Sequence, residues 1–222
     1  GKAVAKEAEN LKEKVIKMGA YMLEAEPDEV TFNGKCVEKK DQSAKVTLPE
    51  IGVRGTFGNN DALQVTENCG AEISPPPYMV GIAEVEIDKE TGSVELIDYV
   101  AVVDCGTPIN PNLARVQTEG GIAQGIGMAL FEDIQYTEKG AMANNSLMQY
   151  KIPSRLDVGK IRVEFKPSYE KSHPFGAKSI GEIVIDTPCP AIANAVYNAV
   201  GLRVEEMPIK PEKIAMELLD EK

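Results

Sequence analysis

A glycine-rich segment inside a predicted helix constrains the fold more than any other feature of this sequence. Asn110 as N-cap and Pro111 at the first helical position predict a helix that runs to about Leu130. Four glycines interrupt its span, namely Gly120, Gly121, Gly125 and Gly127. Each costs about 1 kcal/mol relative to alanine in a helix. Close packing against another helix, or a ligand lying against the backbone, has to offset that cost, and the sequence leaves both open.

Helical and strand patterns alternate along the chain without a regular βαβ order, which predicts an α+β fold of mixed sheets with packed helices. Asn33-Gly34 is a strong hairpin signal, and a second hairpin has a glycine-containing loop. The predicted helices are Ala3–Glu24, Asn110–Leu130, Ala191–Val200 and Pro211–Leu219. The predicted strands are Val30–Phe32, Lys35–Glu38, Val80–Ile87, Ser93–Val103, Phe131–Tyr136 and Ile161–Phe165.

The stretch Asp41–Pro77 is predicted to be the least regular part of the chain. A short helix begins within Thr47–Ile51, and glycines and asparagines then break it, namely Gly52, Gly55, Gly58, Asn59 and Asn60. We therefore predict two parts. Residues 1–77 form a helix with a small β-ribbon and an irregular loop, and residues 78–222 form an α+β part.

Composition excludes several classes of function. The chain has 222 residues and a net charge of −11, which argues against binding to nucleic acid or to anionic membranes. No apolar run approaches the roughly 20 residues of a membrane helix, and no signal peptide is visible, so a cytoplasmic location is predicted. The four cysteines form no C-x-x-C pair, and His173 is the single histidine, so neither a zinc site nor a multi-histidine metal site is expected.

Two further segments are candidates for chemistry. Val103–Pro111 joins a strand to a helix, where backbone amides favour an anion, although an ordinary junction is the alternative. In Phe175–Glu182, small residues and glycines let the backbone lie against a flat ligand. Glu182 follows Gly181 among apolar residues, which predicts a partly desolvated carboxylate suited to a general base. The alternative is a glutamate that faces water.

Taken in order, the informative segments resemble the C-terminal part of the large subunit of molybdenum hydroxylases, the xanthine dehydrogenase and aldehyde oxidase family. The resemblance runs from about Gly1 to Leu219. One departure is Ile183–Asp186, which stands where many relatives have a proline directly after the glutamate. The segments that carry the resemblance are Ala83–Asp88 with Thr91-Gly92, Asp104–Gly106 with Asn110-Pro111, Gln117–Gly121 with Gln124-Gly125, Tyr150–Pro153, and Lys178–Glu182.

The resemblance implies a molybdenum hydroxylase that oxidises a purine, another N-heterocycle or an aldehyde with water as the oxygen source. Its molybdenum–molybdopterin cofactor is expected in the cytosine dinucleotide form. Glu182 matches the catalytic base, and no side chain here is expected to ligate molybdenum. The positions expected to face the cofactor are Gln117, Gly120, Gly121, Lys178, Ser179 and Gly181.

The resemblance also implies partners. Iron–sulfur (2Fe-2S) and FAD centres are expected on other domains or subunits, and the remainder of the molybdopterin subunit is expected to complete the site. The chain, which opens at Gly1 within a helical pattern, is predicted to be an excised fragment that is inactive alone. The surface around Gly106, Gly120, Gly121 and Gly181 is predicted to be apolar and open. Two alternatives are a non-catalytic scaffold of the same fold and an unrelated acid/base site that pairs Glu182 with Lys178.

Overall fold

The computed structural model describes residues 1–57, 62–70 and 73–220. The chain forms two compact units, Gly1–Glu72 and Ile73–Lys222, where the sequence predicted parts at 1–77 and 78–222. Helices accompany an antiparallel sheet in the first unit and a mixed sheet in the second, so the predicted α+β class is confirmed. None of the helices in the described residues is both long and apolar enough to cross a membrane.

The first unit packs two helices on a three-stranded sheet. Its core is a small apolar cluster that includes Val15, Val37 and Ile51. In α1, Gly19 lies directly against Val37, since a Cβ added there would come 2.6 Å from the Val37 Cβ. The elements are α1 (Lys2–Met22), β1 (Val30–Phe32), β2 (Cys36–Lys39), β3 (Lys45–Thr47) and α2 (Leu48–Phe57), with the strands antiparallel in the order β1-β2-β3.

The short helix predicted to begin within Thr47–Ile51 is confirmed as α2, but strand β3 was not predicted in the irregular stretch Asp41–Pro77. Helix α2 continues through Gly52 and Gly55, which were expected to break it. Its start is fixed by the Glu50 carboxylate, which accepts hydrogen bonds from both the backbone N–H (2.8 Å) and the hydroxyl (2.7 Å) of Thr47. Full burial of Ile51 adds a stabilisation that offsets the glycines. Gly58, Asn59 and Asn60 lie outside the described residues.

The second unit is built on a mixed three-stranded sheet. Strands β4 (Tyr78–Ile87) and β5 (Val94–Asp104) form an antiparallel hairpin, and β6 (Lys160–Phe165) runs parallel to β5. The predicted helix that begins after Asn110 is confirmed, because the Asn110 side chain accepts a hydrogen bond from the Leu113 N–H at 3.1 Å. The helices are α3 (Pro111–Leu130), α4 (Ile183–Asp186), α5 (Pro188–Val200) and α6 (Pro211–Asp220).

The core of this unit lies where α5 packs on β4 and α3 packs on β6 and α5. Tyr99 of β5 is fully buried, and its hydroxyl donates to the Thr187 hydroxyl at 2.9 Å, which links the sheet to the start of α5. Gly81 leaves the space for that hydroxyl, because a Cβ there would lie 1.9 Å from the Tyr99 oxygen. The largest fully buried aliphatic residues of this core are Val103, Ile122, Ile126, Val163, Ile192, Val196 and Ile214.

The predicted strand Phe131–Tyr136 is wrong. The segment forms an irregular loop, in which Tyr136 makes only an isolated bridge with Met142. The buried side chain of Asn144 donates to the Asp133 carbonyl and accepts from the Gln135 N–H. A side chain, rather than a neighbouring strand, therefore satisfies these backbone groups.

Candidate functional site

A groove of about 390 Å³ opens at the carboxyl end of β5. It lies between the loop of residues 105–110, the loop of residues 177–181 and the first two turns of α3. Ile109, Leu113 and Ile180 give it apolar walls, while Gln117 and Lys178 are its main polar side chains. Apolar walls with a few placed polar groups are typical of a ligand site.

The two loops are joined by their backbones. The Thr107 N–H donates to the Gly176 carbonyl at 2.8 Å, and the Lys178 N–H donates to the Cys105 carbonyl at 2.7 Å. Gly106 permits this close approach, because its φ is +66° and a Cβ there would lie 2.4 Å from the Gly176 carbonyl oxygen. The prediction that the surface around Gly106 is open is therefore wrong.

A largely buried ion pair also joins them. Lys178 Nζ lies 2.8 Å from Asp104 Oδ2, and their side chains are 9% and 20% exposed. The ammonium is 5.4 Å from the centroid of the Tyr78 ring, within the range of a cation–π contact. Lys178 is thus engaged by Asp104, which argues against the alternative in which Lys178 forms an acid/base pair with Glu182.

Asp104 is held as a carboxylate. Burial on its own raises the pKa of Asp104, but hydrogen bonds from Lys178, the Gly106 N–H and the Ser168 hydroxyl outweigh it and lower the pKa from 3.8 to about 2. The Gly106 N–H and the Ser168 hydroxyl each lie 2.9 Å from a carboxylate oxygen of Asp104. Asp104 is therefore ionised, and paired with Lys178, across the neutral range.

The structure brings part of the predicted site together. Gln117, Lys178 and Gly181 line the groove, and Ser179 is exposed beside Gly181. Gly120 is exposed on α3, with no atom within 4 Å of an added Cβ. Its backbone is accessible, as the prediction for a ligand-facing glycine requires.

Two of the helix glycines serve packing instead. A Cβ on Gly121 would lie 2.2 Å from Val184 Cγ2, and one on Gly125 would lie 2.6 Å from Pro188 Cγ. These glycines let α4 and the start of α5 approach the α3 backbone. The prediction of an open surface at Gly121 is therefore wrong, and close helix packing accounts for its place in the sequence.

Glu182 is exposed and lies at the residue before α4. The prediction of apolar, desolvating surroundings for its carboxylate is wrong in this structure. Val184 takes the fully buried position against α3, while Ile183 and Ile185 are half-buried. One turn of helix thus directs the apolar residues inward and leaves Glu182 facing solvent, directly after groove residue Gly181.

Asp104 belongs to a motif that was predicted from the sequence, but its ion pair was not predicted, and no local sequence signal indicates Ser168 or Tyr78. Asp104 lies 74 residues from Lys178 and 64 residues from Ser168 along the chain. No local spacing rule connects residues so far apart. Within the described residues, no group of three or more His, Cys, Asp or Glu side chains is placed to hold a metal ion.

Comparison with known proteins gives a family match. The family model described as the molybdopterin cofactor-binding domain matches residues 1–159. The probable hypoxanthine oxidase of Escherichia coli (strain K12) is 35% identical over 218 residues, which cover 96% of this chain and 22% of that protein. The molybdenum-binding subunit of an aldehyde oxidoreductase from the same organism is 30% identical, over 93% of this chain and 28% of its own length.

Solved structures share the fold of this chain. The crystal structure of quinoline 2-oxidoreductase from Pseudomonas putida 86 superposes with a TM-score of 0.71 at 27% identity, covering 96% of this chain and 28% of that one. The Cu,Mo-containing CO dehydrogenase superposes with a TM-score of 0.72 at 23% identity, a likeness of fold alone. The chain thus spans about a quarter of the length of the relatives that it matches.

Proposed function

Because the chain belongs to the molybdopterin cofactor-binding domain family, we propose that it forms the groove-bearing part of the molybdenum-binding subunit of a molybdenum hydroxylase. The substrate class is a purine, another N-heterocycle or an aldehyde. The hypoxanthine oxidase and aldehyde oxidoreductase relatives support this choice by their names. Partner subunits or domains would carry the 2Fe-2S and FAD centres, and the isolated chain would not turn over.

Gln117 and Gly181 of the groove, together with Gly120 on α3 outside the groove lining, fit one side of a pterin cofactor. The Gln117 amide offers a donor and an acceptor to the edge of a heterocycle. At Gly120 and Gly181 an added Cβ would have no atom within 4 Å, so a flat group can lie against the backbone there. When bound, the molybdenum cofactor, proposed in its cytosine dinucleotide form, supplies the two-electron redox chemistry.

Glu182 is proposed as the general base. The observation that carries this proposal is its position, with the side chain exposed directly after Gly181 at the end of the groove. A carboxylate there is free to approach a reactant bound in the groove and to accept its proton. Lys178, which is bound to Asp104, would support the loop, and Ser179 would present its backbone to the cofactor.

The test is Glu182→Gln in the complete molybdenum-binding subunit. Glutamine keeps the shape of glutamate but cannot accept a proton, so turnover is expected to fall by about 10² to 10⁴ while molybdenum content stays unchanged. Asp186→Asn is the matched control, since Asp186 is exposed on α4 and its substitution also removes one negative charge. Retention of more than about a tenth of wild-type turnover by the Gln variant would lie outside the general-base range and overturn the assignment.

A further inference from the structure

The Lys178–Glu182 loop has few attachments to the rest of the unit. At its start, Lys178 is bound through its N–H to Cys105 and through its ammonium to Asp104. At its end, Val184 is buried against Gly121 of α3. The residues between these two points determine where the Glu182 side chain lies.

Between these attachments the Ile180 side chain packs against the core of the unit, but the backbone itself makes few hydrogen bonds. Among the described residues, the N–H groups of Ser179, Ile180 and Gly181 donate no hydrogen bond to backbone or side chain. Gly181 has the additional freedom of a glycine, with no atom within 4 Å of an added Cβ. Apart from the packing of Ile180, the position of this segment therefore depends on how firmly its ends are held.

The Lys178 ammonium is held by a network of contacts centred on the Asp104 carboxylate. Asp104 is the last residue of β5, so its backbone is fixed by the sheet. Its carboxylate accepts hydrogen bonds from Lys178, from Ser168 and from the Gly106 N–H, and the Tyr78 ring lies beside the ammonium. A charge-assisted hydrogen bond shielded from water is stronger and more directional than an exposed one.

We propose that Asp104 is a positioning residue for the reaction: through its ion pair with Lys178 it fixes the Lys178–Glu182 loop at the end of β5 and so places Glu182 beside the groove. This inference rests on the proposed function, because it takes Glu182 as the group to be placed. Asp104 does not line the groove, so in this proposal it acts through Lys178 rather than on substrate or cofactor directly.

The experiment uses the complete molybdenum-binding subunit with Asp104→Asn, Lys178→Met and Lys178→Arg. Amide hydrogen exchange of residues 179–184 is measured against that of β5, together with kcat, KM and molybdenum content. Asp104→Asn and Lys178→Met are expected to speed exchange in the loop selectively and to lower kcat by about 10²-fold with little change in KM. The double Asn/Met variant is expected to be no worse than either single variant, because both remove the same interaction. Lys178→Arg keeps a cation and is expected to restore protection and most of kcat.

Asp98→Asn is the matched control. Asp98 also lies on β5 and forms an ion pair, with Arg162 Nη2 at 2.6 Å, but it has no contact with the loop. This variant is expected to leave loop exchange and kcat at wild-type values. The proposal is overturned if Asp104→Asn leaves loop exchange unchanged, or if Asp98→Asn produces the same loss. If Asp104→Asn yields no folded subunit, Lys178→Met decides by the same two readouts.

Failure of this inference is distinguishable from failure of the proposed function. Glu182→Gln leaves the Asp104–Lys178 pair intact, so loop protection is expected to stay at the wild-type level whatever happens to turnover. An active Glu182→Gln variant would overturn the base assignment, and with it the placement of a base by Asp104. Unchanged loop exchange in Asp104→Asn would overturn only the positioning role.

Discussion

Gly121 of α3 and Val184 of α4 are in such close contact that a Cβ on Gly121 would lie 2.2 Å from Val184 Cγ2. The same added Cβ would also lie 3.3 Å from the Val184 carbonyl carbon. Rotation of the valine side chain therefore cannot relieve all of the crowding. Because Glu182 lies two residues before Val184, this contact also fixes the end of the proposed catalytic loop.

Gly121→Ala is expected to destabilise the fold by about 1–3 kcal/mol, the usual cost of inserting a methyl group into a filled core. The added carbon has to displace α4 from α3. Thermal and urea unfolding of the complete subunit measure the loss. Wild-type stability for this variant would contradict the packing described here.

Gly120→Ala is the matched control on the neighbouring residue of the same helix. An added Cβ there meets no atom within 4 Å, so the fold is expected to gain up to about 1 kcal/mol from helix propensity. In the complete subunit, the same methyl group is expected to lower molybdenum content if Gly120 faces the cofactor. Opposite effects of the two substitutions on stability would separate the packing glycine from the exposed one.

Local signals in the sequence predicted most of the elements. The Asn110-Pro111 cap, the Asn33-Gly34 turn and Gly201 after α5, whose φ is +79°, each determine a boundary by backbone chemistry alone. Among the groove residues, Gln117, Lys178 and Gly181 were named by family resemblance, because neither composition nor periodicity indicates that they line one groove.

The predictions that were wrong or missing concern residues whose environment is set by contacts with other parts of the chain. The segment 131–136 has a strand-like composition, but the side chain of Asn144 binds the Asp133 carbonyl and the Gln135 N–H in place of a neighbouring strand. The exposure of Glu182 follows from the burial of Val184 against α3, and the role of Asp104 follows from Lys178 at 74 residues' distance. In each case tertiary packing decides between local alternatives that the sequence leaves equal.

The low pKa of the Asp104 carboxylate predicts how its contribution to stability changes at acid pH. Its pKa of about 2 in the folded state is below the ordinary 3.8, so its contribution to stability is complete above about pH 5 and is lost as pH falls through 2. The shift corresponds to roughly 2 kcal/mol, about half of which is lost by pH 3. The stability difference between wild type and Asp104→Asn is therefore expected to shrink between pH 6 and pH 3, as measured by urea unfolding. A difference independent of pH would show that the ion pair contributes little.

Gln117 and Gln124 are both exposed on α3, but only Gln117 lines the groove. Gln117→Leu in the complete subunit is expected to weaken cofactor retention by about five- to tenfold, the effect of one lost hydrogen bond. Gln124→Leu makes the same change in polarity away from the groove and is expected to retain wild-type molybdenum content. Molybdenum analysis after extensive dialysis is the measurement, and equal losses in both variants would remove Gln117 from the cofactor site.

The isolated chain of residues 1–222 is expected to bind no stoichiometric molybdenum. The open groove supplies one amide side chain, Gln117, and one accessible glycine backbone, Gly181, while the exposed Gly120 lies outside its lining. A cofactor of dinucleotide size needs contacts over most of its surface for stable retention, because ligand sites typically bury 70–90% of a ligand. The molybdenum content of the chain is measured by elemental analysis after production in a molybdenum-replete host. The complete subunit, produced in the same host, is the positive control. About one molybdenum per isolated chain would contradict a site shared with other parts of the enzyme, and would mean that the residues of this groove suffice to hold the cofactor.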